Sequence, residues 1–216
     1  FLLATVLAVV FWVLFLAKKR QVARLDEEKQ LLEQERQLVI DFMHNMVEAI
    51  GAGVERQELW EKIVHASIQA TGALSAAVFE LQEGHRLRGV AVEGLFPPHR
   101  HLPESSRMKL TTRAKYIERI LKSETFEIGE GIVGAVAKTR KAELLEDATH
   151  DPRINQHDDP VLLVRSIIVS PVMFRDELLG VLAVVNPADG LAFNRTDFSL
   201  VENLAEQAGL AVHNAD

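Results

Sequence analysis

The chain opens with an apolar run, from Phe1 to Ala17, that contains no charged residue. As a helix rising about 1.5 Å per residue, the run spans roughly 26 Å, close to the ~30 Å hydrocarbon core of a bilayer. The basic triplet Lys18-Lys19-Arg20 follows it, whereas a secretory signal peptide carries its positive charge first. We therefore predict a transmembrane helix over residues 1–17, crossing the inner membrane of a bacterial cell once, with the rest of the chain in the cytoplasm. Because the chain begins with Phe, we expect this helix to be truncated; a buried core helix is the alternative.

A seven-residue repeat of apolar positions follows the run. One position of the repeat holds Val22, Lys29, Arg36, Met43 and Ile50, and the other holds Leu25, Leu32, Val39 and Met46. This pattern predicts a coiled-coil linker over residues 18–53 that joins two copies of the chain as a homodimer. A single solvated helix beside the next domain is the alternative. Gly51 and Gly53 are expected to end the helix.

Beyond this linker the hydrophobic period alternates between that of helices and that of strands. Helices are predicted over 55–71, 112–124 and 195–213, with a further helix after the glycines that follow Ile128. Strands are predicted over 73–81, 86–92, 142–145, 166–174 and 178–185. The order is typical of an α+β domain over residues 54–216, with helices packed on an antiparallel sheet. The strand over 166–174 is apolar on both alternations, so both faces of the sheet should be covered.

Candidate pocket residues stand out against this apolar pattern. Ser166 and Ser170 share one alternation of a strand, where two hydroxyls would serve a small-ligand site; bonding to nearby backbone groups is the alternative. Gly129, Gly131 and Gly134 spell GxGxxG, without the parallel βαβ context of a dinucleotide site. They indicate a tight turn that opens a helix against a pocket, or a turn that serves backbone geometry alone.

The polar segment EDATHDPRIN adds two candidates, Asp147 and Arg153. Asp151-Pro152 within it has the form of a helix start, with an aspartate cap and proline in the first turn. Arg153 would reach an anionic ligand or remain solvated. The candidate ligand-binding residues are Phe79, Gly131, Ile132, Val133, Asp147, Arg153, Ser166 and Ser170.

Composition removes several classes of function. Without cysteine the chain has no disulfide, thiolate metal site or cysteine nucleophile. A formal net charge of −7 argues against nucleic-acid binding. Basic residues between Arg107 and Lys122 would contact anionic membrane lipid, or form a solvated helix face. With no Ser-His-Asp order, P-loop or metal-ligand cluster, we expect no catalytic or metal site and identify no cofactor.

Four segments together resemble the GAF domain family. They are GEGIVGAVAKT, AELLEDATHDPRI, SIIVSPVMFRDELLGVLAVVNP and FNRTDFSLVENLAEQAGLAVHNA, in the family's order and within residues 56–214. The resemblance implies a six-stranded antiparallel sheet with helices on both faces. The first and last helices would cover one face, and a ligand pocket roofed by loops and short helices would lie on the other.

The same resemblance implies a sensory function. A covalently bound bilin and methionine-sulfoxide reductase activity both need cysteine, so neither fits. Asn186, Phe193 and Asp197 match only part of the family's cyclic-nucleotide constellation. The membrane–coil–GAF order is similar to that of bacterial receptors whose effectors are sporulation-type metal-dependent Ser/Thr phosphatases, diguanylate cyclases or histidine kinases. The four GAF-like segments most resemble those of the phosphatase group. We expect a regulatory module that binds an unknown small molecule; a dimerisation scaffold without a ligand is the alternative.

Overall fold

The fold is described from a computed structural model, for residues 54–83, 85–100 and 110–215 and for positions 12, 15, 18–21, 30, 37, 40–42 and 44. The predicted membrane helix over 1–17 and the predicted coil over 18–53 fall almost entirely outside these residues, so both stay predictions. Within the described part of the chain, no helix has the length and apolar character needed to cross a membrane.

The elements follow the predicted order. The helices are α1 (Arg56–Thr71), α2 (Leu110–Ser123), α3 (Gly131–Thr139) and α4 (Arg195–Asn214), with a 3₁₀ turn at Pro160–Leu162. The strands are β1 (Ala73–Gln82), β2 (Arg86–Gly94), β3 (Thr125–Glu127), β4 (Glu143–Leu145), β5 (Ile167–Phe174) and β6 (Glu177–Pro187). The sequence pattern did not predict the three-residue strand β3 or the 3₁₀ turn.

All six strands belong to one sheet in the order β3-β2-β1-β6-β5-β4. Every neighbouring pair is antiparallel. The long strands β1 and β6 form its centre, where Val78 pairs with Leu182. The predicted α+β fold with a six-stranded antiparallel sheet is confirmed.

The central strands bury both of their faces, as the run of apolar residues in β6 requires. On one face α1 and α4 pack over a core that includes Trp60, Leu182 and Leu204. On the other face a second core includes Phe79, Ile117 and Val136, from β1, α2 and α3. The candidate pocket lies on this second face.

Capping residues fix where the last helix begins. The Asn194 side-chain oxygen accepts hydrogen bonds from the backbone N–H groups of Thr196 and Asp197, at 2.7 and 3.1 Å. The Asp197 carboxylate accepts from the backbone N–H of Asn194 at 2.9 Å. This reciprocal capping box confirms the predicted start of α4.

The predicted helix start at Asp151-Pro152 is wrong. Asp151 instead accepts a hydrogen bond from the backbone N–H of Arg153 at 2.9 Å, closing a turn two residues long. The helical turn of this region begins at Asp159 and Pro160, where the Asp159 carboxylate accepts from Val161 N–H at 3.0 Å. The two Asp-Pro pairs have the same local signature, so local sequence could not distinguish the turn from the cap.

Candidate ligand pocket

Three phenylalanine rings form the apolar part of a cavity on the second face of the sheet. Phe79 comes from the centre of β1, and its ring centroid lies 5.8 Å from that of Phe96 and 5.0 Å from that of Phe126. All three side chains are buried. Tilted and edge-on contacts at these separations are favourable, so the rings hold one another in place.

The first turn of α3 forms one wall of the cavity, through Gly131, Ile132 and Val133. Gly129 and Gly131 have φ values of +99° and +61°, a backbone region that favours glycine. A Cβ atom on residue 131 would stand 2.9 Å from Cε1 of His99. The predicted tight turn is therefore confirmed, and the missing side chain also makes room for the His99 imidazole.

Residues 96–100, which we call the strap, line the cavity through 96–99. Side chains from other parts of the chain hold the strap through hydrogen bonds to its backbone. The buried Glu124 carboxylate accepts hydrogen bonds from His99 N–H at 3.1 Å and Arg100 N–H at 2.8 Å. Asn155 donates from its side-chain nitrogen to the His99 carbonyl oxygen at 2.6 Å. His157 donates from Nε2 to the Pro98 carbonyl oxygen at 2.8 Å. These bonds to backbone groups fix the path of the strap independently of its side chains.

Arg153 supplies a cation at the cavity, held between two carboxylates. Its Nη2 lies 2.9 Å from Oδ2 of Asp151, and its Nη1 lies 2.9 Å from Oε2 of Glu143. The hydrogen bond to Asp151, followed by that to Glu143, raises the pKa of Arg153 above its ordinary value. The same hydrogen bond from Arg153 lowers the pKa of Asp151. An anionic ligand would have to compete with carboxylates already in place.

The cavity has a volume of about 50 Å³. That is far below the roughly 300–1,000 Å³ of sites for drug-sized ligands. Its lining is mainly apolar, with polar groups from His99, Glu130, Arg153 and Asn155. In this form the cavity admits a few water molecules or a very small ligand.

The family model of the GAF domain matches residues 55–212. This chain belongs to the GAF domain family. The residues of the cavity and of the whole sheet lie within the matched range.

Solved structures have the same architecture. The GAF domain of a phosphoenolpyruvate-protein phosphotransferase from Acinetobacter is 21% identical with a TM-score of 0.59, over 82% of this chain and 94% of that one. A free methionine-R-sulfoxide reductase from Neisseria meningitidis, in complex with its substrate, is 15% identical with a TM-score of 0.60, over 84% and 89%. At these identities the likeness establishes the fold.

A curated relative is a probable 3′,5′-cyclic phosphodiesterase of Caenorhabditis elegans. It is 35% identical over 92 residues, which are 42% of this chain and 12% of that protein. The chain thus spans about an eighth of the relative's length. The GAF domain is a regulatory and sensory module, and that description holds for this chain.

Five of the eight candidate residues line the cavity of this GAF domain: Phe79, Gly131, Ile132, Val133 and Arg153. The other three do not, and their expected place in the pocket is corrected. Asp147 accepts hydrogen bonds from the backbone N–H and the hydroxyl of Thr149, at 3.0 and 2.6 Å. These bonds lower the pKa of the Asp147 carboxyl and stabilise a surface turn.

Ser166 and Ser170 are directed away from the cavity by the pleat of the sheet. Ser170 alternates with Ile168 and Val172, which pack in the core beneath α1 and α4. The Ser166 hydroxyl donates to the Leu145 carbonyl oxygen at 3.0 Å and accepts from Phe193 N–H at 3.1 Å. Ser166 therefore satisfies backbone groups, the alternative that the sequence had left open.

Asn186 and Asp197 also have structural contacts here. The Asn186 side-chain oxygen accepts from the N–H groups of Arg165 and Ser166, at 2.8 and 3.1 Å, and its nitrogen donates to the Leu163 carbonyl oxygen at 2.7 Å. Asp197 belongs to the capping box of α4. These two residues of the partial cyclic-nucleotide constellation are thus engaged in the scaffold of the GAF domain.

Sequence reasoning missed the strap, which supplies Phe96, Pro97, Pro98 and His99 to the cavity. The sequence pattern predicts no helix or strand between residues 92 and 112, and the candidate ligand-binding residues include none from this stretch. The signal that could have found it is the unusual density of aromatic, proline and histidine residues in LFPPHRH.

Within the described residues, no group of three or more His, Asp or Glu side chains could hold a metal ion.

Proposed function

We propose that this GAF domain is a sensor that binds a small molecule in the cavity between the strap and the first turn of α3. The supporting observation is the combination of a phenylalanine-lined interior with polar groups at His99, Glu130 and Asn155. Such a site suits a compact ligand with an apolar body and one polar end. A larger ligand would require the strap to move outward.

The size of the cavity argues against a cyclic nucleotide in this form of the protein. A nucleotide belongs to the ligands that fill pockets of roughly 300 Å³ or more, whereas this cavity measures about 50 Å³. The reductase from Neisseria meningitidis, which has a similar fold and was solved in complex with its substrate, supports the more general proposal that a domain of this fold binds a small ligand.

The signal would pass through helices to an effector outside this sequence. We propose that α4 and the coil over 18–53 relay it within a homodimer tethered to the inner membrane by residues 1–17. A phosphatase is the effector class we favour, ahead of a diguanylate cyclase or a histidine kinase.

The tether can be tested by fractionation, since a chain from Phe1 should partition into membranes or detergent and one from Arg20 should not. Equal solubility of both without detergent would contradict the tether.

One observation favours the second candidate, a dimerisation scaffold without a ligand. Phe79 is in ring contact with Phe96 and Phe126, and all three belong to the buried core on the second face of the sheet. If these rings simply complete the core, the cavity is a packing remnant. Signalling would then depend on helix geometry alone.

Native mass spectrometry of the purified 216-residue chain in detergent separates the two candidates. Ligand binding predicts an additional small-molecule mass that is lost in Val133→Phe, because that substitution fills the cavity from α3. Val161→Phe is the matched control, since Val161 is exposed and does not line the cavity. An absent mass, or one retained equally by both variants, would support the scaffold instead.

A further inference from the structure

A second and larger cleft lies at the end of the sheet where the β1–β2 and β5–β6 hairpins turn. Its volume is about 790 Å³, within the range typical of small-molecule sites. Its lining shares no residue with the cavity beneath the strap. The last turn of α3 forms one side of it, and His213 of α4 forms another.

Cationic side chains gather in this cleft although the chain as a whole is acidic. Lys138, Arg140 and Arg175 line it with two carboxylates, Asp176 and Glu177, and two histidines, His85 and His213. Three cations against two carboxylates leave an excess of one positive charge even with neutral histidines, on a chain of formal charge −7. The cationic residues are exposed, as an anion-binding surface requires.

Two of the cations are held in place by neighbouring groups. The guanidinium carbon of Arg175 lies 5.2 Å from the ring centroid of Phe174, a cation–π separation. Phe174 is stacked on His213 with ring centroids 3.7 Å apart and an interplanar angle of 9°. Arg140 donates from Nη1 to the Asp176 carbonyl oxygen at 2.8 Å. That bond uses one of the five N–H donors of the guanidinium.

Backbone conformation gives an independent reason to assign a function to these residues. Among the described residues, four that are not glycine have positive φ: His85, Arg140, Arg175 and Asn186. Three of them line this cleft. Residue 140 ends α3 in the left-handed conformation, and residue 175 occupies a tight hairpin turn. Glycine is the locally favoured residue at such positions, so local stability does not explain basic side chains there.

We propose that the cleft binds the phosphate group of a small phosphorylated molecule. Arginine forks match phosphate oxygens through paired, charge-assisted hydrogen bonds, and Lys138 adds a further charge. The apolar side chains of Leu81, Ile128 and Leu178 give the rest of the ligand a surface to contact. Strained residues persist where the surrounding structure and a function maintain them.

Thermal melts of the 216-residue chain in detergent test the proposal with inorganic phosphate as the probe. Sodium chloride and sodium acetate at equal ionic strength serve as references. Phosphate should raise the melting temperature with its concentration, as expected for a ligand of the folded state. Because phosphate also stabilises proteins generally as an excluded salt, the rise should be greater than in the Arg140→Gly/Arg175→Gly variant. An equal rise with acetate, or none with phosphate, overturns the proposal.

The variant Arg140→Gly/Arg175→Gly removes two cations and fits the positive φ at both positions. Without phosphate it should melt at or above the wild-type temperature, because glycine relieves the backbone strain. Its apparent phosphate affinity should fall about tenfold or more, since charged hydrogen bonds are lost. A variant destabilised without phosphate but with unchanged affinity would assign the arginines a structural role and overturn the proposal.

Matched controls locate the effect in the cleft. Lys62→Ala/Arg195→Ala removes two cations that do not line the cleft and should keep the full phosphate response. Val161→Phe, at an exposed position that lines neither the cleft nor the strap cavity, should also keep it. If the glycine variant does not fold, amide shifts of the wild-type chain on phosphate addition decide. Shifts concentrated at Arg140, Arg175 and Asp176 support the cleft, and shifts concentrated elsewhere overturn it.

Discussion

Gly209 of α4 packs against the backbone of Met173 in β5 so closely that a Cβ atom on residue 209 would stand 1.9 Å from the Met173 carbonyl oxygen. The register of β5 with β6 shifts at this point, between Val172 and Met173. Helix and strand therefore meet backbone to backbone, and the contact depends on the absence of a side chain.

Gly209→Ala should lower the free energy of unfolding by about 1–3 kcal/mol, because the added methyl group must displace the helix from the strand. Chemical denaturation measures the loss. Glu206→Ala on the exposed side of the same helix is the control and should change stability by less than about 0.5 kcal/mol. Equal effects of the two substitutions would contradict the close packing.

Gly131→Val should destabilise the chain by about 1–3 kcal/mol through its positive φ, and further through contact with the His99 ring. Gly190→Val separates these two causes. Gly190 also has positive φ, at +80°, but a Cβ there would meet nothing within 4 Å. Thermal melts should therefore show a greater loss for residue 131 than for residue 190. Wild-type stability of Gly131→Val would refute the conformational role.

Glu124→Gln should loosen the strap. The carboxylate accepts two backbone N–H groups, whereas an amide keeps one acceptor oxygen and turns an NH₂ donor towards the other N–H. The backbone N–H left without an acceptor should lower the free energy of unfolding by about 1–3 kcal/mol. Hydrogen exchange at His99 and Arg100 should accelerate. The control Glu118→Gln removes an exposed ion pair with Lys122 and should leave exchange at the His99 and Arg100 amides unchanged. Equally accelerated exchange at these two amides in the control would exclude Glu124 as the specific anchor.

Stability should decline in acid through the ion pair of Asp151 and Arg153. The pKa of Asp151 is lowered in the folded chain, so the pair's contribution is present above the ordinary value of about 3.9. It is lost as the pH falls through the lowered pKa. Asp151→Asn and Arg153→Gln should each flatten the pH dependence of the unfolding free energy below about pH 4. If both variants kept the wild-type pH dependence, the ion pair would not be the cause of the loss of stability in acid.

The coil should determine the oligomeric state. A chain of residues 20–216 should sediment as a dimer at micromolar concentration, and one of residues 54–216 should associate more weakly, because helices of this length gain most of their stability from a partner. Replacing Lys29 and Arg36 with leucine should strengthen association. A monomeric longer chain, or equal association of both, would show that the coil is not the dimerisation element.

The elements of this domain could be predicted because their signals are local. Asn194 and Asp197 are three residues apart and make the capping box by themselves. Gly72 ends α1 through its own left-handed conformation, with φ of +63°. Such features need no knowledge of distant residues, so the sequence pattern gives the helices and long strands to within a few positions.

The faces of β5 could not be predicted in the same way. A strand buried on both sides has no polar alternation to mark which side meets which helices, so Ser170 was placed on the wrong face. The strap was missed for a different reason. Its anchors Glu124 and His157 lie 24 and 59 residues beyond Arg100 and Pro98 along the chain. Only the folded chain brings these residues together.

The nine-residue helix α3 has Gly131 and Val133 at the strap cavity. Lys138 in its last turn and Arg140 directly after it lie at the cleft. At about 1.5 Å per residue, its ends are only some 13 Å apart. A rigid helix of this length cannot shift at one end without shifting at the other. If the cavity and the cleft each bind a ligand that favours one position of α3, occupancy of either site changes the affinity of the other. Thermodynamic reciprocity then makes the factor the same in both directions, so the domain would respond to two chemical inputs jointly.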